Sequence, residues 1–513
     1  MAVFLEVHLL QSTPPSNMNR DQNGAPKTAY FGGMERLRVS SQCWKRAMRQ
    51  HYKDTLPDDH KTYRDRAWAK ELAKRLNQKG FDGDLKVDES STSAVLPVSL
   101  RVAWMLLSAL GVKPNKGNYE AGIVDTLLFL GETEIRQMLK LAESHKELLI
   151  RVAQNPPKVE KKSKGTAKKP KAQDTDETPV EDKVPEVSYQ LPGTPINGGL
   201  GGSYQNSPLE KLVSEAEFKA LKSLCDGIQG VLYDKKKSHI QSVPGDVALF
   251  GRMLASLPVA SVDAAVSVAH AISANTIKRE FDYWTAAGDF EKADSDQGKG
   301  GEHIGDRPFS SGVFYRYSCL DLAQLVENMG EKFKNDLGLI VEHYLDAFLY
   351  SRPTGYSKQF GHDTVPFAGM FVIRHSQPIS LVQAFETPIK PKPDESISQK
   401  SWQKAVQHWN EIQQAHGKRL PVEAVHVFSE ASFAEVSDDK KSSIDKLSKE
   451  LPDRAIINLL KLKAKNKQES PNPQSSNPLE EQKEDTQQKV FLHVDFSDAI
   501  EAAVADLLKH REG

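Results

Sequence analysis

Basic residues are concentrated in the segment from 18 to 53, in a pattern that could bind a polyanion. The segment holds eight lysine or arginine residues and two acidic residues, a net charge of +6, whereas the whole chain of 513 residues has a net charge of −1. At helical spacing, Gln42, Lys45, Arg46, Arg49 and Lys53 share one face of a predicted helix. Like charges four residues apart repel by about 0.2–0.5 kcal/mol. A phosphate chain would relieve that repulsion, but a solvated helix face explains the pattern equally well.

Serines precede this helix at the position where a capping residue is expected. A hydroxyl at Ser40 or Ser41 can accept a hydrogen bond from the first free backbone N–H groups. The amide and hydroxyl donors at such a helix start are also the groups that hold phosphate. The pattern therefore predicts a helix from about 41 to 52 whose beginning could contact a nucleic-acid backbone.

A second group of residues could stack on nucleobases. Phe281, Tyr283 and Trp284 lie within FDYWTA, and Met253 lies upstream in FGRM. Aromatic side chains that stack on unpaired bases contribute about 1–3 kcal/mol per base. The spacing alone favours the simpler interpretation that the three aromatic residues are core residues at the end of a strand.

Motifs for catalysis or metal binding are absent from the sequence. There is no GxxxxGK[ST], GxGxxG, HExxH or GxSxG. We expect His270 to be a core histidine of an apolar helix, and His362 and Asp363 to lie in a solvated turn. The three cysteines have no CxxC spacing, which excludes a disulfide framework and a cysteine zinc site. The sequence therefore indicates no enzyme, no cofactor and no metal, in a reducing intracellular setting.

The elements that must position these residues alternate between strands and helices, which indicates an α+β fold. Strands are predicted at 3–10, 313–320, 369–374 and 490–496. Besides the basic helix, helices are predicted at 97–110 with Pro97 in the first turn, 133–150, 209–223, 263–275 with Asp263 as the cap, 321–350, 398–416 and 497–510. The alternating FSSGVFYRYSCL is typical of a half-buried strand, and a polar loop is expected at 285–308.

Two segments have the composition of linkers. In residues 155–206, 13 of 52 residues are Pro or Gly, and a lysine block at 158–171 (+6) is followed by an acidic block at 174–186 (−5). Such a segment buries too little apolar surface to order itself, although the lysine block could also be a nucleic-acid-binding tail. Residues 463–489 form the second linker. No signal peptide or stretch of 18 apolar residues is present, so we expect a cytoplasmic protein without a membrane partner.

Several sequence blocks resemble the CasC family, the repeated backbone subunit of type I-E CRISPR Cascade. The blocks are PPSNMNRDQNGAPKTAYFGG (14–33), RLRVSSQCWKRAMR (36–49), VALFGRM, VDAAVSVAHAIS, DYWTA and FSSGVFYRY, and they occur in the family's order. The resemblance covers about residues 1–150 and 207–400. It does not include the segment 155–206 or the chain beyond about 430.

The resemblance implies a right-hand shape with an RRM-like (ferredoxin-like) palm, helical fingers and a thumb hairpin. The implied parts are the palm at 1–56 and 207–430 with the thumb at about 281–308, fingers at 57–154, an insertion at 155–206, and a carboxy-terminal extension at 431–513. Its implied partners are the CRISPR RNA, target DNA paired with that guide, copies of itself and other Cascade subunits. The residues implied to contact RNA are Arg20, Lys27, Ser40, Gln42, Lys45, Arg46, Arg49, Met253, Tyr283 and Trp284.

Two other functions compete with this non-catalytic scaffold. A metal-dependent endoribonuclease, related to type III backbone subunits that cut target RNA with a loop aspartate, would use Asp21. The simpler interpretation makes Asp21 an ion-paired neighbour of Arg20. Alternatively, the chain is an interaction protein whose main functional part is the inserted segment.

Overall fold

The computed structural model describes residues 3–82, 96–115, 118–155, 207, 209–234, 239–240, 242–254, 257–285, 304–390, 392–429, 489–493 and 496–510. These residues form two compact units. Unit 1 comprises Met1–Leu56, Ala265–Glu327 and Lys334–Gly513, and unit 2 comprises Pro57–Ala264 and Asn328–Phe333. The contacts thus group residues 209–264 with 57–155, whereas the resemblance had assigned 207–430 to one palm.

The strands and helices have the following bounds. The strands are β1 Phe4–Ser16, β2 Thr28–Phe31, β3 Met34–Val39, β4 Thr62–Asp65, β5 Leu128–Gly131, β6 Tyr233–Asp234, β7 His239–Ile240, β8 Val266–Val268, β9 Ala271–Ser273, β10 Glu280–Thr285, β11 Ile304–Asp321, β12 Ala368–Arg374, β13 Ala424–Ser429 and β14 Lys489–His493. The helices are α1 Ser41–Thr55, α2 Trp68–Gln78, α3 Val98–Ala109, α4 Glu132–Glu143, α5 Lys146–Gln154, α6 Glu215–Gly230, α7 Gly245–Phe250, α8 Leu322–Phe333, α9 Leu337–Tyr350, α10 Ser357–Phe360, α11 Ile397–His416 and α12 Phe496–Leu508.

Unit 1 is built on a largely antiparallel sheet in the order β14-β13-β12-β1-β11-β9-β3-β2. β11 also pairs with β8 and with β10, and the pairing of β13 with β14 is parallel. The long central strand β1 pairs with β11 on one side and with β12 on the other. This mixture of an antiparallel sheet with helices confirms the α+β fold class.

Helices cover both faces of this sheet. α11 and the turn Leu381–Phe385 pack on the face that carries Leu10, Tyr315 and Val372. On the opposite face, α1 packs against α9, and α12 packs against α9, β12 and β13. Because both faces are covered, β11 is buried on both sides from Val313 to Arg316. A strand is present as predicted, but the expectation that only one of its faces is buried is wrong. A central strand of a sheet covered on both faces does not alternate between buried and exposed residues.

Unit 2 is a helical bundle with two small two-stranded sheets, β4–β5 and β6–β7. Its core is formed by apolar residues of α2, α3, α4, α5 and α6. An ion pair lies inside it, because Arg252 donates to both carboxylate oxygens of Glu134 at 2.7 and 2.9 Å. The Glu134 carboxylate also accepts from the Gly131 N–H at the start of α4 (2.7 Å), so both oxygens of the buried carboxylate have partners.

Most predicted elements are present, with changed limits. The helices at 41–52 and 398–416 and the strand at 369–374 are confirmed by α1, α11 and β12. The strand at 3–10 continues to Ser16, and the helix at 209–223 starts later, at Glu215, where Ser214 and Glu217 form a capping box. Pro97 occupies the cap position of α3 rather than its first turn.

The predicted helix at 263–275 is wrong. Residues 266–268 and 271–273 form β8 and β9, which pair with β11. The small residues of this segment suggested a helix, but Val266, Val268 and Ile272 are β-branched, and the open edge of β11 supplies backbone partners that a sequence pattern does not reveal. The two short strands also bring His270 to the start of α1 instead of into a core.

The predicted terminal strand and helix are both present and pack onto the chain's own sheet. β14 pairs with β13, and α12 buries Ala499, Ile500, Ala503 and Leu507. The linkers predicted at 155–206 and 463–489 fall almost entirely outside the described residues. Within the described part of the chain, no helix has the length and hydropathy needed to cross a membrane.

Candidate nucleic-acid interface

Helix α1 separates a buried apolar side from a basic outer side. Trp44, Ala47, Met48 and Tyr52 are buried at helical spacing. The other side carries the exposed Gln42 and Arg46, the half-buried Lys45 and Arg49, and the exposed Lys53. No acidic residue lies in the first turn. The helix predicted from the sequence is therefore confirmed, together with its division into two faces.

The start of α1 is held by three side chains. The Ser40 hydroxyl accepts from the Cys43 N–H (3.3 Å), and the Asn19 side-chain oxygen accepts from the Ser40 N–H (2.9 Å). The Ser41 N–H donates to His270 Nδ1 (3.1 Å). The Ser40 and Ser41 N–H groups, which were expected to contact phosphate, thus donate to side chains of the same protein. Ser40 acts as the N-cap and is buried.

The loop before β2 is held beside this helix by backbone hydrogen bonds. The Lys27 N–H donates to the Asn19 carbonyl (2.8 Å), and the Arg38 N–H donates to the Lys27 carbonyl (2.9 Å). The Asn17 side chain donates to the carbonyls of Gly24 and Pro308 at 2.8 and 2.9 Å. These contacts fix the backbone on which Lys27 stands, and Arg20 is exposed on the same loop.

Positive charges surround the start of α1 from several segments. Burial raises the pKa of the Cys43 thiol, while the charges of Lys27 and Arg46 oppose that rise. Burial lowers the pKa of His270, and the charges of Arg38 and Lys27 lower it further. His270 therefore stays neutral here and accepts through Nδ1, so it adds no charge to the cluster.

The basic face of α1 carries an unfavourable charge interaction in this structure. Burial lowers the pKa of Lys45, and the neighbouring Arg49 lowers it further. A bound anion would oppose both effects, because it favours the charged form of an amine. This is the physical reason for treating the face as a binding surface.

Arg36 is not part of the basic surface, although it counted toward the +6 segment. It is fully buried, and its guanidinium donates to the carbonyls of Ser273 (2.8 Å), Phe385 (2.6 Å) and Glu386 (2.9 Å). Its alternation along β3 turns it inward, where it ties β3 to β9 and to the 381–385 turn. Its partners are backbone carbonyls and not phosphates.

The aromatic residues of β10 lie at the surface, so the expectation that they are core residues is wrong. Phe281 is 62% exposed, Tyr283 66% and Trp284 38%. β10 pairs only with β11 among the described strands, and Trp284 lies opposite Gly305. A Cβ at Gly305 would come within 2.8 Å of the Trp284 ring, so the glycine provides the space for the indole.

β10 and β11 present two different surfaces, because side chains alternate along a strand. Phe281 and Tyr283 share one side. Asp282 and Trp284 share the other, where the Gln359 side chain donates to Asp282 (3.3 Å). The two aromatic residues named for RNA contact, Tyr283 and Trp284, therefore lie on opposite sides of the strand.

A row of arginine and aromatic side chains joins Arg20 to Trp284. The Arg20 and Arg307 guanidinium groups both lie over the Tyr356 ring, at 4.1 and 4.8 Å from its centroid. Arg307 also lies 5.8 Å from the Trp284 centroid and bonds to Gln359. Tyr356 has a left-handed backbone (φ 54°), which is unfavourable for a residue with a side chain. Unit 1 thus brings the basic loop and Trp284 together through two residues that sequence analysis missed.

The other predicted residues fall elsewhere. Met253 belongs to unit 2 and is 83% exposed. His362 is buried, with Nε2 3.0 Å from the Pro353 carbonyl oxygen, so the expectation of a solvated turn is wrong for it. Asp363 pairs with Arg352 at 2.7 Å.

Asp21 Oδ1 accepts from the N–H groups of Asn23 (2.8 Å) and Ala25 (3.0 Å). The structure therefore gives Asp21 a backbone-holding role instead of the expected ion pair.

Comparison with known proteins gives one family and one fold. The sequence profile of the CT1975-like proteins matches residues 5–450, a range that includes the segment 155–206 and extends beyond 430. The chain is similar to a chain of a "CRISPR RNA-guided surveillance complex, pre-nicking", with 23% identity, a TM-score of 0.61 and coverage of 98% of this chain and 100% of the other. A chain of a "CRISPR RNA-guided surveillance complex" is 22% identical, with a TM-score of 0.55 and coverage of 98% and 99%. No curated protein matches the chain significantly.

Proposed function

The chain belongs to the family of CT1975-like proteins, as a CasC-type backbone protein, and from this premise we propose that it is the guide-binding backbone subunit of a type I-E CRISPR Cascade complex. In this role, copies of the chain polymerise along one CRISPR RNA in the cytoplasm and assemble with other Cascade subunits. They grip the sugar-phosphate backbone and leave the guide bases available to pair with a target DNA strand.

The observation that carries this proposal is the basic outer side of α1. It presents Lys45, Arg46 and Arg49 beside Lys27 and Arg20, and the loop that carries the last two is fixed by hydrogen bonds to the start of the helix. Contacts of this kind bind phosphates without reading sequence. Such a surface suits an assembly in which the guide sequence varies and base pairing provides the specificity.

The β10–β11 hairpin supplies the second part of the proposed site. Tyr283 offers an exposed ring for stacking on a displaced base, and Trp284 lies next to Arg307. Arg20 and Arg307 both lie over Tyr356, so phosphate contacts and aromatic contacts adjoin each other. We assign Tyr283, Trp284 and Arg307 to the guide, and Met253 to a contact made from unit 2.

In this proposal the sheet of unit 1 is an RRM-like palm and β10–β11 is the base of a thumb. The helical residues 57–154 correspond to the fingers of a right-hand shape. In the carboxy-terminal part from 431, β14 adds a strand to the sheet beside β13, and α12 packs on β12 and β13.

The proposed subunit is not catalytic. The competing endoribonuclease would require Asp21 to act on a metal or on RNA. Its Oδ1 is engaged by two backbone N–H groups of its own turn, at 2.8 and 3.0 Å, which gives the residue a structural task. Incubation of the assembled complex with complementary RNA and Mg²⁺ distinguishes the two functions. We expect no cleavage, and regularly spaced cuts that disappear in Asp21→Ala would replace the scaffold by the nuclease.

Native mass spectrometry combined with nucleic-acid extraction tests the assembly itself. We expect the purified complex to contain several copies of this chain and one RNA of discrete length. A complex without RNA, or a single chain bound to RNA of random length, would contradict the proposal. Deletion of residues 158–202 is the matched test of the interaction-protein alternative, and we expect near-normal guide binding after it.

A further inference from the structure

Three potential metal ligands meet at the end of helix α12. His375 follows strand β12, Glu423 precedes β13, and His510 follows α12. Each offers one ligand atom, and these three atoms lie within 4.8 Å of one another. His375 Nε2 and His510 Nε2 lie 2.8 and 2.9 Å from the same Glu423 oxygen, Oε2. All three residues belong to unit 1 and come from separate parts of the chain.

The backbone holds these residues in place. The Glu423 N–H donates to the Ile373 carbonyl (2.9 Å), which fixes Glu423 beside the end of β12 and therefore beside His375. The His510 N–H donates to the Leu507 carbonyl (3.1 Å), which continues the last turn of α12. The helix itself is held by the burial of its apolar side. The ligands thus stand on the sheet and on a packed helix, as a metal site requires.

Hydrogen bonding does not account for the whole cluster. His375 Nε2 forms a hydrogen bond with Glu423 Oε2. His510 Nε2 is close to the same oxygen but is buried without a well-directed hydrogen bond to any described residue. The two imidazole rings are nearly perpendicular, with centroids 4.8 Å apart and an interplanar angle of 85°. A cation between the two nitrogens and the carboxylate would give His510 Nε2 a partner.

The neighbouring lysine is paired mainly with a different carboxylate. The Lys509 ammonium is bonded to Asp506, which raises the pKa of Lys509, and the Glu423 charge raises it further. Asp506 also lies 3.2 Å from His426 Nε2 under the helix. The Lys509 charge is therefore balanced locally, and the Glu423 carboxylate is the anionic group of the cluster.

We propose that His375, Glu423 and His510 bind a divalent transition metal, of which Zn²⁺ is the best chemical match, and that the metal fastens the end of α12 to the end of β12 and the start of β13. Two imidazoles and one carboxylate suit Zn²⁺, Ni²⁺ or Co²⁺ better than Mg²⁺ or Ca²⁺. Ligand bonds of about 2.0–2.2 Å place tetrahedral ligand atoms about 3.3 Å apart, so binding opens the present contacts by about 0.5 Å. Water would complete the coordination.

The experiment uses the full chain without a polyhistidine tag, stripped with a chelator and titrated with Zn²⁺ by equilibrium dialysis. We expect one equivalent of saturable binding. Co²⁺ in place of Zn²⁺ gives a visible absorption band that reports nitrogen and oxygen ligands directly. Hydrogen exchange in α12 is the second readout, and we expect added Zn²⁺ to slow it.

Three variants separate the metal site from the other histidines of the chain. His510→Ala removes one ligand, and Glu423→Gln keeps a hydrogen-bond acceptor while removing the anionic ligand. His408→Ala is the matched control, because His408 lies 3.4 Å from Glu411 in a surface histidine–glutamate pair that lacks a third ligand among the described residues. We expect binding to weaken at least about tenfold in the first two variants and to be unchanged in the control.

Folding of the variants is checked by exchange rates outside α12, which should match the unaltered chain. Equal Zn²⁺ binding by the unaltered chain and Glu423→Gln would overturn the proposal, as would the absence of saturable binding in the unaltered chain. If Zn²⁺ slows hydrogen exchange in α12 equally in the unaltered chain and in Glu423→Gln, the metal binds at another site and the proposal is likewise overturned.

Discussion

The basic face of α1 gives a quantitative prediction for RNA binding. The perturbation is Lys45→Gln, Arg46→Gln and Arg49→Gln in one chain, which removes three charges and keeps side chains of similar length. None of the three is a core residue of the helix, since the buried side is formed by Trp44 and its neighbours. We therefore expect the variant to fold normally and to lose affinity for RNA.

The size of the effect follows from counterion release. Each phosphate contact contributes about 0.7 to the slope of log K against log salt for a single strand. Three lost contacts reduce the slope by about 2, so the ratio of affinities between the two chains changes about a hundredfold over a tenfold range of salt. Burial and repulsion by Arg49 lower the pKa of Lys45, and the phosphate charge of bound RNA opposes that lowering.

The assay is fluorescence anisotropy of labelled single-stranded RNA at several salt concentrations. The matched control is Lys404→Gln, Lys418→Gln and Arg419→Gln, which removes the same charge from α11 and the turn after it. α11 packs on the opposite face of the unit 1 sheet from α1. We expect the control to keep the slope of the unaltered chain. Equal slopes for the α1 variant and the unaltered chain would refute the assignment of this helix.

Three further predictions concern stability and stacking. Arg374→Met leaves the Glu6 carboxylate buried without its 3.0 Å partner, so we expect a loss of about 3–5 kcal/mol in the free energy of unfolding by urea. A loss below about 1 kcal/mol would contradict this prediction, because an exposed ion pair contributes no more than that to stability. Hydrogen bonds from Arg151 and from the backbone and hydroxyl of Ser214 lower the pKa of Glu217 to about 2, so the stabilisation by the Glu217 carboxylate is complete above about pH 4.5 and lost as the pH falls toward 2. In Glu217→Gln, the melting temperature should therefore fall less between pH 4.5 and 2 than in the unaltered chain. An equal fall in the two chains would contradict this prediction. Tyr283→Ala should weaken RNA binding by about 1–3 kcal/mol without altering the salt slope, whereas an altered slope would mean that the substitution disturbs the phosphate contacts.

Sequence reasoning succeeded where local signals determine the structure. α1 has a serine cap, an apolar side and a basic side within one stretch of chain, and the structure has all three. The strand β12 and the helix α11 were likewise predicted from patterns within their own segments of the chain. The family resemblance drawn from separate blocks is confirmed by the profile match over residues 5–450.

The errors arose where distant segments decide the outcome. Residues within 263–275 form strands because they pair with β11, and His270 consequently accepts a hydrogen bond from the Ser41 N–H at the start of α1 instead of lying in a core. Arg36 turned inward because carbonyls of β9 and of the 381–385 turn meet it there. Tyr356 and Arg307 could not be found from spacing, since only the folded sheet brings them to Arg20.

Ultraviolet cross-linking of the assembled complex, followed by mass spectrometry of the RNA-linked peptides, tests the central claim most directly. The account predicts cross-links in the loop and helix from 17 to 53 and in β10 around Tyr283 and Trp284. Cross-links confined to α11 or α12, on other surfaces of unit 1, would contradict it.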